Sequence, residues 1–313
     1  MRLFIFKDAI NFMKYKWICL ILSTVLIFAS LGSLFTKGLN LGLDFTGGTV
    51  IELQFPQQAD LDKVRQSLTA AGFADAQVQY FGSSQDVMIR IAPRTGVEQK
   101  TIGEQIVAAA NQASPEPVTV RKVDVVGSAV GDDLKEDGFL AVLCALVGIL
   151  IYVAARFEWR FSVGAVASLL HDVIITLGMF SITGMEFDLT VLAGVLALIG
   201  YSINDTIVVF DRIRETFRKL RDATVDETVN EAITSTLSRT TMTSFTTALT
   251  LIVLFFIGGA MIHGFAASLL FGIAIGTYSS IFVASGLAVI LGASREDLMP
   301  TVIEKEGADT PSL

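Results

Sequence analysis

Apolar residues along the chain gather into six long runs, and polar residues gather between them. The runs cover about 16–35, 138–155, 161–183, 187–210, 241–260 and 264–291. A helix needs roughly 20 predominantly apolar residues to cross a bilayer, and the runs are close to that length or longer. All six prolines (56, 93, 115, 117, 300 and 311) lie outside them, as uninterrupted helices prefer. The pattern predicts six membrane-spanning helices. The first run, from about Trp17 to Phe35, is longer than the apolar core of a cleaved signal and lacks a convincing A-x-A site, so it reads as a retained anchor.

Between the first two runs, over 36–137, the period changes. "TVIELQF" (49–55) is rich in strand formers. "ADLDKVRQSLTAAGF" (59–73) places apolar residues at 61, 64 and 68, a helical spacing. "AQVQYF" (76–81) and "VMIRIA" (87–92) alternate, with the polar turn "GSSQD" between them. "GVEQKTIGEQIVAAANQ" (96–112) reads as a helix and "EPVTVRKVDVV" (116–126) as a strand. The order β-α-β-β-α-β predicts an α+β sandwich of the split-βαβ, ferredoxin-like type. The segment has no His, no Cys and no glycine-rich phosphate loop. A folded spacer and a binding or docking module both remain open for it.

Composition supports the membrane reading: 52% of the 313 residues are hydrophobic and only 17% are charged, outside the range of ordinary soluble domains. The net charge of −8 argues against a nucleic-acid partner. Residues 38–137 carry 14 acidic against 8 basic side chains. Cys19 and Cys144 both lie in apolar runs, and their spacing forms no disulfide framework.

Lys and Arg in short flanks set orientation. They occur in the N-terminal arm (Arg2, Lys7, Lys14, Lys16), in the 156–160 turn (Arg156, Arg160) and throughout 211–240. The turns 184–186 and 261–263 have none. The bias predicts that both termini are cytoplasmic, with 36–137 on the other side. The expected organisation is then a cytoplasmic arm and first helix (1–35), an exported (periplasmic) domain (36–137), helices two to six (138–292) and a cytoplasmic tail (293–313). Within the basic 211–240 connection, Thr224 and Glu227 form a capping-box pattern. A helix end entering the cytosol, followed by a short helix on the membrane surface, is expected there.

Polar groups inside the apolar runs are the informative residues, because a carboxylate at bilayer depth costs roughly 2.5 kcal/mol or more. The fourth run holds Asn204 and Asp205, with Tyr201 and Ser202 a turn earlier. The third holds His171 and Asp172. The fifth opens with Arg239, and Thr243, Thr246 and Thr250 follow on the same helical face, which should point into the bundle or line water. A carboxylate in a low-dielectric cavity favours its neutral form, whereas arginine keeps its charge. Approach of Arg239 would release a proton from Asp205, and its withdrawal would let one bind. Asp172, Asn204 and Thr243 are candidate members of this relay. Asp205 as a structural hydrogen-bond partner is the alternative, and a packing role is the rival for His171.

Two further features are structural candidates. Ser268, Gly272, Gly276, Ser280, Ala284 and Ala288 place small residues at every fourth position of the sixth run, which predicts a close helix–helix contact, internal or with a partner chain. "GLDFTGGTV" (42–50) follows the first run. Gly47 and Gly48 permit a turn, and Asp44 and Thr46 can cap or fix it. A hinge and an ordinary turn fit equally. No P-loop, metal cluster or nucleophile–base pair is visible, so neither a hydrolytic activity nor a cofactor or metal is expected.

The blocks "GLDFTGG", "LLHDVIIT", "IGYSINDTIVVFDRIRE", "TLSRTTMTS" and "GIAIGTYSSIFVAS" resemble the signature segments of the SecD/SecF family of bacterial protein-export membrane subunits, within the resistance-nodulation-division superfamily. The resemblance covers nearly the whole chain. It implies an inner-membrane subunit that works with a SecD-like partner beside the SecYEG channel and uses the proton-motive force to help preproteins across, ATP hydrolysis belonging to a separate motor. It also implies that Asp205 and Arg239 belong to the proton pathway. A proton-coupled half-transporter for a small molecule or lipid, and a passive scaffold of the translocase, are the other classes that the residues allow.

Overall fold

The computed structural model describes residues 9–93, 99–220 and 222–293. Arg2, Lys7 and the tail beyond residue 293 lie outside the described residues, as does the start of the helix expected over 96–112. A tight turn (Met13–Tyr15) leads into α1 (Lys16–Thr36). Then come β1 (Asn40–Leu41), the short helix α2 (Leu43–Thr46) and β2 (Gly48–Gln54). They are followed by α3 (Leu61–Ala70), β3 (Gln77–Phe81), β4 (Ser83–Ile91), α4 (Gln99–Gln112) and β5 (Thr119–Val126). The helical part begins with α5 (Ser128–Arg156) and α6 (Trp159–Thr183). It continues with β6 (Glu186–Phe187), α7 (Leu189–Lys219), α8 (Val225–Ile257) and α9 (Ala260–Ser279). A π-turn (Ser280–Ala284) joins α9 to α10 (Ser285–Ile290). Among the described residues, six helices, with α9 and α10 counted as one, are long and apolar enough to cross a membrane.

Strands β2 to β5 form one antiparallel sheet in the order β3-β4-β2-β5. Ile51, Leu53, Ile89 and Ile91 pack with Val64 and Leu68 of α3 and Ile106 of α4 to form a separate apolar core. Asp60 starts α3 by accepting from the backbone N–H groups of Asp62 and Lys63, the usual work of an aspartate at a helix N-terminus. The turn between β3 and β4 is shorter than the pattern suggests. Gly82, at φ 83°, reverses the chain alone, and "SSQD" is already part of β4.

Two helices differ from their expected extents. α5 starts at Ser128, ten residues before the apolar run begins at 138. Its first turns are polar, so hydropathy does not mark them. The separate surface helix expected in 211–240 is absent: the capping box at Thr224 and Glu227 opens α8, which continues unbroken to Ile257. No glycine or proline interrupts those 33 residues, so nothing ends the helix where its composition turns apolar.

Among the spanning helices, α6, α7 and α9 are the most buried, whereas α1, α5 and α8 expose most of their apolar stretch. The small-residue stripe of the sixth run is turned inward. A Cβ on Gly272 would stand 2.6 Å from Leu198 of α7, and one on Gly164 of α6 would stand 2.7 Å from the Ala284 carbonyl. The neighbours of the stripe are therefore helices of this chain.

A second, two-stranded sheet joins the two parts. β1 and β6 pair in parallel, Asn40 with Glu186 and Leu41 with Phe187. Neither strand is visible in the apolar pattern, being two residues long.

Candidate functional site in the helical bundle

Asp205 and Asp172 are buried, 8% and 0% exposed. Asp205 Oδ1 accepts from Thr240 Oγ1 of α8 at 2.6 Å, and Oδ2 accepts from Ser280 Oγ at the start of the π-turn. No ion pair reaches it among the described residues. Asp172 Oδ2 accepts from Ser202 Oγ of α7 and from Ser279 Oγ of α9, the latter at 2.8 Å. Its Oδ1 lies 2.8 Å from His171 Nδ1. Ser168 of α6 donates to Ser279 at 3.0 Å. Hydroxyls both donate and accept, so this shell can hold either protonation state of a carboxyl.

Helix spacing puts a bonding partner of Asp172 on the face of α7 that carries Asp205. Ser202 and Asp205 are three apart on α7 and share a face. Gly276 has no side chain where α9 meets them: an added Cβ would stand 3.3 Å from Ser202 Cβ and 3.5 Å from Asp172 Oδ2. His171 is 1% exposed, and its Nε2 has no hydrogen-bond partner among the described residues, so its Nδ1 contact with Asp172 fixes the ring.

Among the described residues, Arg239, Thr243 and Asn204 make no hydrogen bond or ion pair to either carboxylate. All three are exposed on the outer surface of the bundle. Of the two positions expected for Arg239, Thr243, Thr246 and Thr250, pointing into the bundle or lining water, the first is corrected: all four are exposed and face away from the core. Adjacent residues on a helix diverge by about 100°, and α8 turns Thr240, not Arg239, toward Asp205. The threonines satisfy their hydroxyls on their own helix, Thr243 on the Arg239 carbonyl at 3.1 Å and Thr246 on the Met242 carbonyl at 2.9 Å. This back-bonding removes the need for an inward position.

At the other end of α7 the "GLDFTGG" residues form a junction. Asp44 Oδ2 accepts from the Leu189 N–H at 3.0 Å, and Asp188 accepts from Val191 N–H at 2.8 Å. Both carboxylates thus cap α7. Arg90 of β4 donates to Glu186 at 3.2 Å, to the Leu41 carbonyl at 2.9 Å and to Thr46 Oγ1 at 2.7 Å. Gly47 and Gly48 carry φ of +66° and +120°. Both values favour glycine, and a Cβ on Gly48 would collide with the Ile91 carbonyl. Glu186 lies above the ordinary glutamate range because burial disfavours its charge. Arg90 opposes that rise, and Asp188 and Asp44 add to it.

Thr240, Ser279, Ser280, Arg90 and Glu186 were not singled out as site residues from sequence. The Ser-Ser pair in "TYSSIFVAS" was a visible signal, a doubled hydroxyl in an apolar run. Among the described residues no cluster of His, Cys, Asp and Glu suits a metal ion.

Comparison with known proteins agrees with this architecture. The family model for the C-terminal region of the protein export membrane proteins SecD/SecF matches residues 106–294, and the SecD/SecF GG motif matches residues 32–59. A protein translocase subunit SecF from Vibrio alginolyticus is 53% identical over 303 residues, 97% of this chain and 96% of that one. Another from Pseudomonas aeruginosa is 46% identical over 303 residues, 96% of this chain and 98% of that one. The crystal structure of SecDF, a translocon-associated membrane protein from Thermus thermophilus, superposes with a TM-score of 0.81 at 37% identity. That match covers 91% of this chain but only 39% of the SecDF chain, so the present chain corresponds to about two fifths of it. The chain belongs to the SecD/SecF family of protein export membrane proteins.

Proposed function

We propose that the chain is an accessory, non-enzymatic subunit of Sec protein export that works with a SecD-like partner beside the SecYEG channel. In this reading it converts the proton-motive force into movement that helps a preprotein across. The observation that carries the reading is the setting of Asp205. A carboxyl buried among apolar helices, held by two hydroxyls and by no cation among the described residues, is a group whose charge can change.

Arg239 supplies the second half. It precedes Thr240, the residue now on Asp205. Rotation of α8 by one residue position, about 100°, exchanges the hydroxyl for the guanidinium and favours loss of the proton. Asp172, buried and bonded by Ser202 and Ser279, is the relay's second candidate carboxyl. Asn204 and Thr243, exposed like Arg239, belong to the partner side of the relay, because an exposed arginine and amide at bilayer depth are costly against lipid. The SecD-like subunit covers them in the assembly.

The basic flanks support an inner-membrane topology with both termini in the cytoplasm and the β2–β5 sheet in the periplasm. α7 then links the proton site to that exported sheet. Leu189 stands sixteen residues before Asp205, about 24 Å along a helix. Its N–H is held by Asp44, and the neighbouring Glu186 holds Arg90 of the sheet. The test is preprotein translocation in proteoliposomes containing the partner and the channel, with and without a proton gradient. Loss of gradient stimulation in Asp205→Asn, with the complex still assembled, is the expected result. Normal stimulation in both Asp205→Asn and Arg239→Met contradicts the relay.

A further inference from the structure

We propose that Ser279 and Ser280 are positioning residues that couple the protonation of Asp172 to that of Asp205. The inference rests on the proton reading above and adds two residues and a second carboxyl acting jointly with the first.

The contacts close a ring. Asp172 is bonded by Ser202 and Ser279, and Asp205 by Ser280. Ser202 and Asp205 belong to α7, three residues apart; Ser279 and Ser280 are consecutive. Two buried carboxylates are thus tied together twice, once through α7 and once through a single peptide unit.

That peptide unit lies at an irregular point. On a regular helix, neighbouring side chains diverge by about 100°, which here sends one hydroxyl to each carboxylate. The chain then widens into the π-turn, where Ser285 Oγ donates to the Ser280 carbonyl, five residues back, at 3.0 Å. Such turns concentrate at functional sites.

Each serine has a second acceptor. Ser279 Oγ lies 3.1 Å from the Gly276 carbonyl, and Ser280 Oγ lies 3.1 Å from the Thr277 carbonyl. A hydroxyl proton has two resting directions, outward to the carboxylate or back to its own helix. When Asp205 is ionised, Ser280 donates to it. When Asp205 takes a proton from the aqueous side, Ser280 turns to the Thr277 carbonyl and accepts from the acid. The serine keeps its own proton throughout. The same exchange operates at Ser279 and Asp172, and the shared turn makes one exchange felt by the other.

Among the described residues, the other titratable or charged side chains on the helices around the pair include His171 on α6, Tyr201 on α7, Arg239 on α8, Tyr278 on α9 and Cys19 on α1. His171 is held by Asp172, and Tyr201 bonds Ser244. Tyr278 donates to the Cys19 carbonyl.

The experiment is an infrared titration of carboxyl bands in the full chain in lipid nanodiscs, with Asp172→Asn and Asp205→Asn assigning the bands. Strongly interacting groups titrate as a pair, with couplings of more than about one pH unit. The expected result is a two-step titration in the wild type and a displaced Asp172 midpoint in Asp205→Asn. Ser280→Ala and Ser279→Ala should reduce the displacement, and Ser280→Thr, which keeps the hydroxyl, should preserve it. Independent one-step titrations in the wild type overturn the proposal without any serine variant. So does a displacement that survives both alanine variants. The relay fails separately: it falls if Asp205→Asn retains gradient-stimulated translocation, whatever the titration shows. The coupling falls alone if that stimulation is lost while the Asp172 midpoint stays in place.

Discussion

Thr240 Oγ1 lies 2.6 Å from Asp205 Oδ1, and this contact joins α8 to α7 at the centre of the bundle. Arg239, one residue earlier on α8, faces outward. The juxtaposition puts a neutral donor on the carboxyl and a fixed cation one residue position away. Thr240→Val keeps the shape and removes the donor. Loss of a buried hydrogen-bond partner costs about 1–3 kcal/mol, so the thermal midpoint in nanodiscs should fall, while Thr240→Ser should stay near the wild type. Equal midpoints for Val and Ser would show that the contact contributes nothing to stability.

The junction at the start of α7 gives a second prediction. Asp44→Ala removes the acceptor for the Leu189 N–H, and loss of a helix cap costs about 0.5–2 kcal/mol. Asp44→Asn keeps an acceptor oxygen and should be milder. Gly48→Ala should be the most damaging change in this motif, because its φ of +120° and its closeness to the Ile91 carbonyl both exclude a Cβ. Thermal unfolding of the three variants ranks them; an alanine at 48 that melts like the wild type contradicts the account of the turn.

Glu186 predicts a pH dependence outside the membrane. Its folded value lies above the ordinary 4.5, burial outweighing Arg90. A raised folded value means that the stabilising contribution is complete below the unfolded value and is lost as pH rises through the folded one. The junction should therefore gain stability as pH falls through the folded value toward the ordinary 4.5. Glu186→Gln should remove that component, and Arg90→Gln, which deletes the opposing pull, should enlarge it. Thermal midpoints at pH 5, 6 and 7 provide the check, and an unchanged pH slope in Glu186→Gln contradicts it.

The outward polar stripe predicts a covered surface. With Cys19 and Cys144 replaced by alanine, Thr243→Cys and Asn204→Cys should react with a lipid-permeable maleimide in the isolated chain. Adding the SecD-like partner should protect both. Reactivity that the partner leaves unchanged would place this face elsewhere in the assembly.

Much of this fold was legible in the apolar pattern, because a bilayer imposes helix length and a small sheet imposes alternation. The helices could be counted and the β-α-β-β-α-β order read. The polar first turns of α5 escaped because hydropathy marks where a helix is apolar, not where it begins. The two-residue strands β1 and β6 escaped because their pairing is tertiary. The site was half legible. Asp205 and Asp172 stand out as charges in apolar runs, but period alone cannot say which face of α8 is inside. Arg239, Thr243, Thr246 and Thr250 form as regular a stripe as Thr240, Ser244 and Leu251, and only packing against α7 and α9 selects the second. Ser279 and Ser280 fit a small-residue packing stripe equally well, which hid their bonds to the carboxylates.

The central claim is that Asp205 changes its protonation state when a gradient is applied. Infrared difference spectra of the reconstituted complex, recorded before and after imposing a proton gradient, test it most directly. The account predicts that a protonated-carboxyl band appears or vanishes with the gradient in the wild type and is missing in Asp205→Asn. A wild-type spectrum with no carboxyl change, in membranes that still hold the gradient and translocate preprotein, contradicts it.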